Sequence, residues 1–127
     1  MLFRSAFEAA SNACTKGGTI ILLADCADGL GRRDFLDWFD AGNSVALAER
    51  LCENYQVNGQ TAWSLLKKAE RFDIRIVTSL GDRETRRMRL HKIKPENLWY
   101  KIDPSARGYI LPFGARIHIK TSRGYGA

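Results

Sequence analysis

The chain has 127 residues, 45% of them hydrophobic and 27% charged, with a formal net charge of +6; this fits one globular domain with a core of its own. No apolar stretch approaches the ~18 residues of a membrane span, and the N-terminal residues lack the long apolar core of a signal peptide. A cytoplasmic protein with no membrane partner is therefore expected. Three cysteines without CxxC spacing argue against a disulfide framework and are expected as small packed residues. His91 and His118 lie far apart in sequence, so a metal held by this chain alone is not expected.

Residues 2–15 place Leu2, Phe3, Ala6, Phe7 and Ala10 at helical spacing, and Gly17 and Gly18 end the helix. Residues 19–25 form a strand whose continuous apolar run, from Ile20 to Ala24, is the pattern of a buried parallel strand. A glycine-containing acidic loop follows, from Asp25 to Gly31. Residues 32–40 read as a short helix with Phe35, Leu36 and Phe39 on one side. Trp38 either packs beside them or stands at the mouth of a site.

Asn43 is an N-cap for a helix over residues 44–54. Residues 55–59 are a connector, and residues 61–71 form the next helix. A second strand covers residues 74–79 and a basic helix residues 83–90. Pro95 then breaks the pattern. Short strands are expected over residues 98–102 and 108–112. The alternation Arg-Ile-His-Ile-Lys over residues 116–120 suggests a half-exposed edge strand. Strands separated by helices imply an α/β, three-layer domain with a mostly parallel sheet flanked by helices, the first strand central and a short antiparallel edge near the C-terminus.

In open α/β sheets, ligands collect at the C-terminal ends of strands, which directs attention to the loop after Ala24. The loop lacks GxGxxG, and an aspartate at the phosphate position would repel a dinucleotide. Three readings remain. Asp25 and Asp28 can work as a carboxylate pair, the amides near Gly29 and Gly31 can hold a small carboxylate, or the loop can simply cap the next helix. Cys26 has no evident base nearby. The basic run from Arg83 to Lys94 is either a solvated helix face or a patch for nucleic acid or an acidic partner.

Four segments, taken in order, carry a resemblance: residues 15–31, the Phe-Leu-Asp-Trp-Phe run at 35–39, residues 59–69 and the Ile-Leu-Pro-Phe-Gly-Ala run at 110–115. Together they resemble the C-terminal domain of the nickel-dependent lactate racemase family, over roughly residues 5–120. The resemblance implies that residues 1–127 are a single cleft-covering domain of a 2-hydroxy-acid racemase or epimerase. The family's cofactor is a nickel-pincer nucleotide tethered to a lysine. Its chemistry is hydride transfer from the substrate α-carbon and back, with histidine bases. The tethering lysine and those histidines belong to the family's N-terminal domain.

The resemblance therefore implies no catalytic residue here, no cofactor bound by this chain alone and no activity without an N-terminal racemase domain as partner. It places Arg4, Asp25, Asp28, Gly29, Gly31 and Gln60 toward substrate and cofactor. The family has a lysine near position 4 or 5, where this chain has Arg4 and Ser5; a guanidinium suits a substrate carboxylate. Gln60 stands where many members carry tryptophan or histidine. The alternatives are a small basic binding module, with nucleic acid the less expected partner, and a truncated remnant without catalytic function.

Overall fold

The computed structural model describes residues 4–26, 33–98, 102 and 104–111. In chain order they form α1 (Arg4–Ala13), β1 (Thr19–Leu23), a 3-10 segment (Arg33–Ala41), α2 (Ser44–Glu53), α3 (Val57–Arg71), β2 (Asp73–Val77), α4 (Asp82–Arg87), β3 (His91–Lys92) and a 3-10 turn (Pro95–Asn97). The domain is α/β: β1, β2 and β3 make one parallel sheet in that order. Among the described residues β2 is the central strand, whereas the sequence reading places β1 there. None of the described helices is long and apolar enough to cross a membrane.

Alternation decides how the sheet is used. Ile20 and Leu22 of β1 pair in register with Ile74 and Ile76 of β2, and all four are buried. They share one core with Phe7 from α1, Phe35, Trp38 and Phe39 from the 3-10 segment, Leu47 from α2 and Leu65 and Leu66 from α3. Each such side chain contributes roughly 1.5–3 kcal/mol by leaving water. The intervening residues face the other way: Leu23 is 70% exposed, and Ile21, Asp73, Arg75 and Val77 are half-buried. So the apolar run of β1 is buried on one face, and not on both, among the described residues. Two of the three expected layers, sheet and helices, lie within those residues.

The connections are built by specific contacts. Gly17 takes φ +82°, a left-handed turn that glycine adopts without strain, and its amide donates to the Arg71 carbonyl at 2.8 Å. That bond ties the turn before β1 to the end of α3. Lys68 holds α1 to α3 through Glu8 at 2.6 Å. Asn43 caps α2, its Oδ1 accepting from the Ala46 amide at 2.8 Å. Glu70 of α3 adds a second acceptor at the start of α2, taking the Ser44 amide at 2.9 Å. Trp38 packs in the core and not at a site mouth.

Several boundaries differ from the sequence reading. The helix α3 starts at Val57, inside the expected connector. The basic helix is short, ending at Arg87 because Arg89 turns left-handed with φ +64°. The third strand is His91–Lys92; residues 108–111 carry no strand. Residues 98–102 fall partly outside the description, with Leu98 in a turn and residue 102 in a bend. The expected edge strand at 116–120 lies outside the described residues.

Candidate functional site

The C-terminal ends of β1 and β2 are locked side by side. The Ala24 amide donates to the Val77 carbonyl at 3.0 Å, extending the ladder one residue past β1. The Asp25 carbonyl then accepts from the Ser79 amide at 3.0 Å and from the Thr78 hydroxyl at 3.0 Å, and the Ser79 hydroxyl also donates to it. Thr78 Oγ1 in turn accepts from the Leu80 amide at 3.3 Å. One carbonyl thus collects three donors, where two lone pairs are available. The surplus donor is a hydroxyl that can turn to a ligand without stranding the carbonyl.

The Asp25 side chain is exposed at this edge, and Cys26 follows with φ +54°. A non-glycine residue in that conformation is uncommon and marks the sharp exit of the chain from the strand. Sequence reasoning missed Thr78 and Ser79, although the strand-end rule applied to β1 applies equally to β2.

The helices that precede the strands bring other candidates to the same end. Each of α1 and α3 packs on the strand that follows it through a short turn, so each runs back along that strand. From Arg71 back to Gln60 is ~16 Å of helix, about the length of β2. Gln60 therefore stands level with the C-terminal end of β2, and Arg4, the first residue of α1, lies toward the same end of β1. Gln60 is exposed, and its Oε1 accepts from the Tyr55 hydroxyl. Asp28, Gly29 and Gly31 lie outside the described residues.

Gly59, next to Gln60, is a packing residue. A Cβ there would stand 2.8 Å from the Trp38 indole and 2.6 Å from Leu51. The glycine lets the 3-10 segment approach α3 closely, and this contact fixes the first turn that carries Gln60.

The basic run splits into an inner and an outer set. Thr85, Met88 and Leu90 are buried. Arg87 pairs with Asp37 at 3.2 Å and Asp40 at 3.1 Å, and the hydrogen bond to Asp37 leads the effects that push its pKa above the ordinary arginine range. Arg89 donates to the Phe39 and Gly42 carbonyls at 3.2 and 3.4 Å. These two arginines clamp the 3-10 segment. Arg83 and Arg86 are exposed.

Of the three cysteines, Cys14 and Cys26 pack partly against the core and Cys52 is exposed, which corrects the expectation that all three are packed. Burial pushes the Cys14 thiol up. Among the described residues no three His, Cys, Asp or Glu side chains converge as a metal-binding group, so their donor set does not fit a nickel centre.

No family model matches the chain. No curated protein matches it either. Among solved structures it is similar to the lactate racemase apoprotein from Thermoanaerobacterium thermosaccharolyticum, with a TM-score of 0.63 and 25% identity over 72% of this chain. The matched region is 23% of that protein, so this chain corresponds to less than a quarter of its length. The likeness supports a distant relation between this domain and lactate racemase.

Proposed function

We propose that this domain covers the active-site cleft of a 2-hydroxy-acid racemase or epimerase and is inactive by itself. The observation that carries the reading is the shared fold with the lactate racemase apoprotein at 25% identity. The arrangement at the C-terminal ends of β1 and β2 supports it, because α/β sheets bind ligands there.

In this reading the domain belongs to the C-terminal part of such an enzyme. A histidine-bearing domain, on the same polypeptide or a separate one, holds the nickel-pincer nucleotide. That group supplies the hydride-accepting centre and the partner domain's histidines supply the bases. The residues of this chain bind and orient. Arg4 offers a guanidinium to the substrate carboxylate. Gln60 and the Thr78 and Ser79 hydroxyls present neutral donors and acceptors that fit a hydroxy acid. The segment with Asp25, Asp28, Gly29 and Gly31 forms the rim. Closure over the partner excludes water from the cleft. In this reading the reaction runs in the cytoplasm.

The test is association. The chain is mixed with the cofactor-loaded N-terminal domain of a lactate racemase and run on a sizing column. Co-elution supports the reading, and independent elution with no change in either peak removes it.

A further inference from the structure

Tyr55 carries a large aromatic ring that the core does not use: it is 63% exposed. It is the single residue between Asn54, the C-cap of α2, and Gln56, the N-cap of α3. Its backbone is therefore held from both sides. The Asn54 amide donates to the Arg50 carbonyl at 3.1 Å, and the Gln60 amide donates to the Gln56 carbonyl at 3.1 Å. Gly59, pressed against Trp38 and Leu51, fixes the turn of α3 that carries Gln60. Within this frame the Tyr55 hydroxyl donates to Gln60 Oε1.

A glutamine amide can present either end, because rotation about its last torsion exchanges the carbonyl oxygen and the NH2 group. A phenol bound to the oxygen selects one end. Gln60 Nε2 keeps both of its donors, and it has no partner among the described residues. What remains for a ligand is an uncharged double donor, which suits a carboxylate or hydroxyl oxygen and not a cation. Holding a rotamer-rich side chain before the ligand arrives also reduces the entropy lost on binding. In the free chain the exposed bond competes with water; closure over a partner domain removes that competition.

The geometry points to Tyr55 as a positioning residue for Gln60: it fixes the amide so that Gln60 donates to the carboxylate of the 2-hydroxy acid. This rests on the cleft reading above and assigns Gln60 one role within it. The test has two arms. In the full chain alone, NMR relaxation of the Gln60 side-chain amide is expected to show an ordered group that becomes more mobile in Tyr55→Phe. Tyr55 is exposed, and circular dichroism confirms that the variant folds. In the mixture of the full chain with the cofactor-loaded N-terminal domain of a lactate racemase, Tyr55→Phe is expected to raise KM for enantiopure lactate about threefold to tenfold, the worth of one neutral hydrogen bond, with kcat unchanged. Gln60→Glu still accepts from the phenol but offers no N–H, and should raise KM further. In a Gln60→Ala background Tyr55→Phe should change nothing, whereas a purely structural role of Tyr55 would persist there. Equal amide mobility in the native chain and Tyr55→Phe, an unchanged KM, or an undiminished effect in the Gln60→Ala background overturns this proposal alone. A native mixture that does not racemise lactate overturns the cleft reading and this proposal with it.

Discussion

The backbone amide of Ser79 donates to the Asp25 carbonyl at 3.0 Å and joins the strand-end loops of β1 and β2. The hydroxyls of Thr78 and Ser79 converge on the same oxygen. Because three donors share it, losing one hydroxyl leaves the carbonyl satisfied. Ser79→Ala is expected to lower stability by no more than about 1 kcal/mol, the net worth of one exposed hydrogen bond. The Ser79→Ala, Thr78→Val pair should cost more than the sum of the single changes, since the shared acceptor couples them. Urea denaturation of the four proteins checks this; strict additivity would show that the hydroxyls do not share the carbonyl.

Gly59 faces Trp38 with no room for a methyl group. A Cβ would come within 2.9 Å of two atoms of the indole, which is only 8% exposed and part of the core. Leu51 can move aside, but the ring cannot without shifting the 3-10 segment. Gly59→Ala is therefore expected to destabilise by about 1–3 kcal/mol, the overpacking range. This reverses the ordinary gain from replacing a helical glycine with alanine. A rise in melting temperature for Gly59→Ala would contradict the packing described.

Arg89 holds φ +64° at the end of α4, where the Leu90 amide reaches back to the Thr85 carbonyl at 2.9 Å. Glycine is the usual residue at such a helix end. Replacing Arg89 with either alanine or glycine removes its bonds to Phe39 and Gly42, but only glycine also relieves the backbone. Arg89→Gly should therefore be about 1 kcal/mol more stable than Arg89→Ala. Equal stability of the two variants would show that the turn is not left-handed.

Burial raises the pKa of Cys14 above the ordinary thiol range, because the thiolate is the form that loses solvation. With the folded pKa raised, the folded state holds this proton more tightly than the unfolded chain. The associated stability is present below the pKa of an unfolded cysteine and is lost as pH rises through the folded pKa. At pH 8, iodoacetamide should therefore modify exposed Cys52 faster than Cys14. Peptide mass spectrometry reads the order, and faster labelling of Cys14 would contradict its burial.

How far the sequence reading reaches depends on the range of the interaction involved. Asn43 is legible because capping is local: the side chain and the amide it accepts are three residues apart. The glycine pair and β1 are legible for the same reason. The start of α3 is not, because Gly59 disfavours helix locally, and the contact that overrides this comes from Trp38, far away in sequence. The strand β3 is two residues long and sits inside a charge run, too short to show a period. Sheet order is also hidden, since β3 joins β2 through α4 and nothing in β1 itself shows which strand is central. The alternation Asp-Ile-Arg-Ile in β2 goes with one buried and one half-buried face. Within the candidate site, Asp25 follows from the acidic loop at the strand end, and Gln60 from the resemblance alone. Thr78 and Ser79 needed the parallel pairing that brings β2 beside β1.

The central claim is that this domain completes a racemase cleft. Its most direct test is the rate at which an enantiopure 2-hydroxy acid racemises in an equimolar mixture of this chain and the cofactor-loaded N-terminal domain of a lactate racemase. Chiral chromatography gives that rate. Racemisation is predicted in the mixture and in neither component alone, with the rate reduced about tenfold or more when Gln60→Ala replaces the native chain, as expected for a lost positioning contact. A mixture that associates yet racemises no faster than the N-terminal domain alone would contradict the claim.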